Sequence, residues 1–360
     1  MADEPIDYNG WLSRTPGNVA PTEPLSGGNT ESKREWKDYV FRENGGAGYN
    51  SSLNTLLRSF KILGPGNTLF AVPDDTIGLV YVSRPMLNLS DENVKKHPQL
   101  LPLVNPPRDS YMGYIKGLLD PVWGSANYNQ LSILDPLNPW MVPLSNFLKV
   151  SSGFPDISLA TGKSEPGFRG EVHAYVDGHV KVNYDYDMRQ SYFLTKPNII
   201  SYLFEVWIHY IEAVTLGDEG MEPYFEALRC NYLDYTTRIY HIILNKDQRN
   251  IENIFCCGGG WPTTFPSGAF STIDRTQDSL RGQGQDELDV NFTCTVFRFG
   301  NLEVADMFNR TTLRLNANMH PTVRGRYYRK LEFSEYYLKK DDAYPWINLA
   351  TMEMEYWRKI

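Results

Sequence analysis

Residues 171–188 read EVHAYVDGHVKVNYDYDM. Polar and apolar side chains alternate with the period of two that a half-buried strand requires. Val172, Ala174 and Val176 fall on one face, and Val180, Val182, Tyr184, Tyr186 and Met188 continue it. Asp177-Gly178 lies between the two runs. Both central residues of a tight hairpin turn need positive φ, which Gly adopts without cost and Asp tolerates. The stretch predicts a long hairpin turning at Asp177-Gly178. Its polar face would carry Lys181, Asn183, Asp185, Asp187 and Arg189.

Further strands follow toward the C-terminus. Residues 237–244 (TRIYHIIL), 251–257 (IENIFCC) and 289–299 (DVNFTCTVFRF) each read as strands. GGGWPTTFPSGAF, from Gly258 to Phe270, reads as a Gly/Pro loop carrying Trp261, Phe265 and Phe270, and a polar linker covers about 271–288. Between these strands, 198–215 (NIISYLFEVWIHYIEAVT) has helical spacing. Leu203, Trp207, Tyr210, Ile211 and Val214 form its apolar stripe, Asn198 fits an N-cap and Gly217 a stop.

Toward the N-terminus, 76–83 (TIGLVYVS) is a strand ended by Arg84-Pro85. Residues 90–150 read as loops and short helices. Helices are predicted at about 32–43, where Ser32 and Glu35 fit a capping box, and at 52–62. Residues 1–30 read as an extended polar arm.

Composition narrows the function. The chain has 360 residues, 41% hydrophobic and 22% charged, so a sizeable core is expected and wholesale disorder is excluded. A net charge of −8 gives no basic footprint for gripping nucleic acid. The 13% aromatic share suits a large β core or protein–protein contacts equally. Four cysteines (Cys230, Cys256, Cys257 and Cys294) lack zinc-site spacing, and no charged-then-apolar leader or long apolar span is visible. The expectation is a soluble protein made in a reducing cytoplasm, without membrane insertion.

Signatures of catalysis are missing. Six histidines show no ligand spacing in sequence, and His173 with His179 reads as a cross-strand pair flanking the turn rather than a metal site. Gly258-Gly259-Gly260 lacks the Lys-Ser/Thr of a phosphate loop, and Pro262 removes an N–H that a phosphate cradle would use. Asp185 and Asp187, two apart on one strand face, read as a solvated edge; the competing reading is a glycosidase carboxylate pair. No cofactor, metal or catalytic residue is expected.

Several stretches, in order, resemble the tail-tube family of contractile-tailed phages, in particular its larger relatives in big phages. They are Phe154-Pro155-Asp156-Ile157 with Glu171-Val172; the helix Ile199–Ile211 with Trp207; Asp234–Tyr240; and Phe255–Ala269 with its Trp261-Pro262-Thr263-Thr264-Phe265-Pro266 run. Val290–Phe299 followed by Met307-Phe308-Asn309 is similar to the family's closing strand and its Phe-Asn end. Tyr81–Leu89 resembles a run that precedes such domains in large-phage virion proteins. The bulky Gly258–Trp261 stretch and the long linker depart from the family pattern.

The resemblance implies an α+β, mainly β fold: a tail-tube-like β-sandwich or partial barrel with a flanking helix, plus an irregular helix-containing N-terminal region. The implied division is an arm (1–30), an accessory region (31–150), a tube-like domain (151–315) and a C-terminal extension (316–360). It implies a virion tail protein, assembled in the host cytoplasm into a hexameric ring. Its partners would be tube, sheath, baseplate or neck, and tape-measure proteins, with DNA as passing cargo. Lys181, Asn183, Asp185 and Asp187 would face the lumen, and Trp261, Pro262, Phe265 and Phe270 would form a subunit contact. A tube initiator or terminator suits the long appendages better than the repeated subunit. The alternative is a virion adhesin or carbohydrate-binding module.

Overall fold

The computed structural model describes residues 76–127, 133–181, 185–194, 198–217, 220–229, 233–245, 248–265, 267, 287–300, 302–340 and 343–360. The arm, both helices expected before residue 76, Phe270 and the linker lie outside these residues.

Six strands form the central antiparallel sheet. They are β1 (Ile77–Val82), β2 (Leu148–Ser152), β5 (Asp185–Phe193), β6 (Thr237–Leu244), β7 (Ile251–Pro262) and β8 (Glu287–Phe299), in the order β1-β6-β7-β8-β5-β2. The architecture is α+β and mainly strands, as the resemblance implied. The segments read as strands at 76–83, 237–244, 251–257 and 289–299 are strands, and β6 matches its predicted bounds. The sheet nearly closes on itself. Beyond β1, Met141 N–H donates to Val82 O (2.8 Å), and the short helix Val142–Asn146 leads from there straight into β2 at the opposite edge. Inside the curve, the Ser151 hydroxyl of β2 pairs with His241 Nε2 of β6 at 2.9 Å.

The predicted hairpin is not formed. Residues 174–181 run on as one strand, β4, paired with β3 (Ser158–Lys163) in a separate two-stranded ribbon. Between the pairs Leu159↔Val180 and Thr161↔Val176, three residues of β4 face one of β3. Asp177-Gly178, with Gly178 at φ 109°, therefore makes a bulge instead of a reversal. The signal misleads because each flank has a better partner elsewhere: β3 for residues 174–181, and β8 for β5, matched residue for residue from Asp185↔Thr295 to Phe193↔Glu287. The expected apolar face splits accordingly. Met188 enters the core, whereas Val172 and Val176 are exposed. His173 and His179 lie along one stretch of chain and are not a cross-strand pair.

The concave face of the sheet is filled by α5 (Ile199–Leu216). Leu203, Phe204, Trp207 and Tyr210 of this helix are buried, with Ile211 and Val214 packed at the margin. The helix is apolar and long enough to cross a membrane, yet this face is spent on the sheet. Gly217 ends it in the left-handed region (φ 67°), as the sequence indicated. Asn198 precedes it but does not cap it: its own backbone is left-handed (φ 59°) and its side chain makes no cap bond. Short helices of the 90–150 region close the same core from the other side. These are α1 (Asp91–Val94), α2 (Tyr111–Leu119), α3 (Pro121–Ala126) and α4 (Val142–Asn146). The buried Arg84 stitches them together, donating to Leu118 O (2.9 Å) and Asn138 O (3.1 Å).

Two further elements were not anticipated. After the small α6 (Phe225–Arg229), residues Leu302–Leu315 form α7, so Met307-Phe308-Asn309 sits in a helix and not at a strand end. The C-terminal stretch folds as a three-stranded sheet, β10 (Ala343–Asn348), β11 (Glu353–Lys359) and β9 (Tyr328–Lys330), in the order β10-β11-β9. Arg324 is held there over Trp357 (3.8 Å) and Trp346 (4.8 Å). Phe154–Ile157, one of the stretches that carry the family resemblance, is the coil between β2 and β3.

Candidate assembly surfaces

The outer, convex face of the sheet differs along its width. Across β1, β6 and the first half of β7 it is dry. Tyr81, Tyr240, Ile242, Leu244, Ile254 and Cys256 pack there against Val304, Ala305 and Phe308 of α7 and against the C-terminal sheet. Across β5, β8 and the end of β7, nothing among the described residues covers it.

The bare half can be read by register, because directly opposed residues share a face. Asp185, Thr295 and Gly259 form one row; Asp187, Thr293 and Trp261 form the next; Arg189 pairs with Asn291 and Ser191 with Asp289. Thr293 donates to Asp187 (2.9 Å), and Arg189 pairs with Asp289 at 2.5 Å. Hydrogen bonds from Ser191, then from Arg189, hold the Asp289 carboxyl below the ordinary carboxylate range. Three carboxylates against one guanidinium leave this strip acidic.

Gly258 and Val296 mark the seam between the halves. They are opposed across β7 and β8, and Val296 has φ 60°, unusual for a β-branched residue. A Cβ on Gly258 would lie 3.0 Å from Val296 Cβ. Before the seam Phe255 and Cys257 point into the concave core; after it Gly260 and Pro262 do. A Cβ on Gly260 would lie 3.3 Å from the Cys257 sulfur, so one step of alternation is lost. The glycines are strand, not the predicted loop, and what they permit is close passage of β8.

Of the expected lumen residues, Asp185 and Asp187 lie exposed on the bare strip. Lys181 ends β4, and Asn183 lies outside the described residues. Of the expected contact residues, Trp261 is half-buried at the strip's margin, edge-on to Tyr235 at 6.0 Å, and Pro262 is buried beside Phe292. Phe265 packs against the core. The structure thus places Asp187 and Trp261, taken from two separate motifs, in one row of one face.

A second surface was missed. The β3–β4 ribbon and its flanks expose Ile157, Leu159, Phe168, Val172, Tyr175 and Val176, and Phe168 is fully solvent-facing. The alternation that suggested a core strand was a real apolar signal, but there its Val172 and Val176 are exposed, with no cover among the described residues. His97 and His209, far apart in sequence, approach to 5.7 Å between ring centres.

No curated protein matches the chain. Solved structures similar to part of it include the cap that terminates the tube of the anti-feeding prophage, 16% identical, covering 46% of this chain and 84% of that one at a TM-score of 0.27. Two others come from PVC, an extracellular contractile injection system, in the extended state. Its sheath/tube terminator is 10% identical, covering 43% and 86%, and its sheath-tube complex is 12% identical, covering 45% and 82%, each at a TM-score of 0.24. The family described as "Putative phage tail tube protein" matches residues 16–359, well beyond the 154–310 stretch that carries the sequence resemblance. The chain belongs to that family of phage tail structural proteins.

Proposed function

We propose that copies of this chain close into a ring of about six around the tail channel, with the acidic strip of β5 and β8 facing the lumen. The observation that carries this reading is the ribbon. Leu159, Tyr175 and Val176 of the ribbon, and Phe168 of the segment joining its strands, are half-exposed or more, and among the described residues β3 and β4 pair only with each other. Soluble monomers rarely leave such a contiguous apolar surface bare, and a neighbouring copy would cover it. The β2 edge, which among the described residues pairs only with β5 and carries the exposed Val150, offers the same neighbour unpaired backbone groups.

An acidic wall repels the phosphate backbone, so DNA would pass without gripping it. Further partners would be tube, sheath, baseplate or neck, and tape-measure proteins, in a particle assembled in the host cytoplasm. The chain before Ile77 and the sheet β9–β11 would crowd a long stack of rings. An end position, as tube initiator or terminator, accommodates them better than the repeated subunit.

Mass photometry with negative-stain imaging tests this. Rings of about six copies are expected, and Leu159→Asp with Val176→Asp should return them to folded monomers. A wild-type chain that stays monomeric at tens of micromolar and binds glycans would favour the adhesin reading instead.

A further inference from the structure

We infer that His97, His209 and Glu212 form a binding site for a divalent metal ion of the zinc type. His209 and Glu212 are three apart on α5 and project from one side of it. His97 comes from the loop that leads into the turn Pro98–Leu103. One ligand atom from each lies within 4.8 Å of the other two.

The spacing suits coordination. Tetrahedral zinc with bonds of about 2.0–2.2 Å holds its ligand atoms roughly 3.3–3.5 Å apart. His209 Nδ1 and Glu212 Oε2 are already at 3.4 Å. Small rotations of the two imidazoles, whose rings are tilted by 35°, close the rest. Burial is graded: His97 is 7% exposed, and the His209 and Glu212 side chains are 24% and 55% exposed. An ion can therefore enter from solvent, settle against the buried imidazole and keep a fourth position for water.

The donor set selects the ion class. Two imidazoles and one carboxylate suit zinc and its late first-row neighbours, whereas calcium and magnesium require an oxygen shell. The competing account is a ring contact beside an i,i+3 ion pair, which at a surface contributes little. A bound ion would clasp the Pro98–Leu103 segment to the core helix. The adjacent Tyr210 ties that helix to the chain ahead of α1, donating to Asp234 and accepting from Asn88 N–H (3.1 Å).

The test uses the untagged full-length chain, stripped with a chelator that is then removed. Titration with zinc chloride is followed by calorimetry, metal content by mass spectrometry and Tm by scanning calorimetry. One zinc per chain and a rise in Tm of several degrees are expected, because an ion that binds only the folded state stabilises it. Cobalt(II) in place of zinc should give the visible absorption of a four-coordinate site. His97→Asn and His209→Asn should each abolish stoichiometric binding. Glu212→Gln, at an exposed position that folding does not need, should weaken it by about tenfold or more while leaving the metal-free Tm unchanged. No stoichiometric uptake at about 100 μM zinc, or uptake that survives in the His97→Asn, His209→Asn and Glu212→Gln chains alike, would overturn the site.

Discussion

The two halves of the central sheet are built from similar strands and end in opposite conditions. Across β1, β6 and early β7, both faces carry buried apolar side chains, the outer ones under α7 and the C-terminal sheet. Across β5 and β8, the inner face is as dry, but the outer face carries Asp185, Asp187, Arg189 and Asp289 in water. The difference lies in the alternation. In β6, Ile239, Tyr240, Ile242 and Leu244 supply apolar groups to both sides; in β8, Leu288, Val290, Phe292 and Cys294 supply one side and polar residues the other. One kind of surface fixes the chain's own fold, and the other meets solvent.

The largest effect should come from breaking the dry half. Phe308 is fully buried, stacked on Trp140 at 4.5 Å and edge-on to Tyr81 and Tyr240 at 5.3 Å. Phe308→Ala should cost about 3–5 kcal/mol, read as a loss of denaturant midpoint. An effect under about 1 kcal/mol would mean that α7 is not what covers this face.

The seam comes next. Gly258→Ala forces a methyl against Val296, and neither the left-handed Val296 backbone nor the paired strand can move freely. A destabilisation of about 1–3 kcal/mol is expected in the same titration. A neutral result would show that the switch of faces does not depend on close backbone passage.

The concave core offers a pH test. Burial lowers the His241 pKa to about 4 from its ordinary 6.5. The unfolded chain takes up this proton near pH 6.5 and the folded chain only near 4, so His241 makes the fold lose stability as pH falls through that window. Burial raises the Asp234 carboxyl to about 6, which acts in the opposite direction between pH 6 and its unfolded value. The wild type therefore shows only the difference. His241→Gln keeps a partner for Ser151 and removes one side of it. Its Tm should gain on the wild type as pH drops from 6.5 to 4, by up to about 3 kcal/mol in stability. Parallel Tm curves for the two chains would contradict the burial of a neutral imidazole.

The smallest effect belongs to the wet half. Asp185→Asn with Asp187→Asn should shift folding stability by no more than about 0.5 kcal/mol, because both carboxylates are solvated. Ring assembly should be unaffected. Loss of a glycan-cleaving activity in this double variant would instead support the carboxylate-pair reading.

Much of this contrast was legible in the sequence. Strands β1, β6 and β8, the helix with Trp207 and its Gly217 stop all follow from local periodicity and chain breakers, which act within a few residues. What was not legible depended on partners distant in sequence. Asp177-Gly178 is a sound turn signal, but whether it reverses the chain depends on whether 158–163 is available to pair. Gly258–Trp261 has loop composition, yet β8 holds it in the sheet. Helix α7 was missed although Val304, Ala305 and Phe308 have helical spacing, because the family resemblance assigned Met307-Phe308-Asn309 to a strand end. The His97–His209 approach has no sequence signature, since the fold alone brings the loop to the helix.

The most direct test of the central claim is a cryo-electron microscopy map of the assembled chain at a resolution that traces strands. The account predicts a closed ring with Asp185, Asp187 and Asp289 on its inner wall and the β3–β4 ribbon laid on a neighbouring copy. A ring with that strip on its outer surface, or an assembly in which the ribbon remains bare, would contradict it.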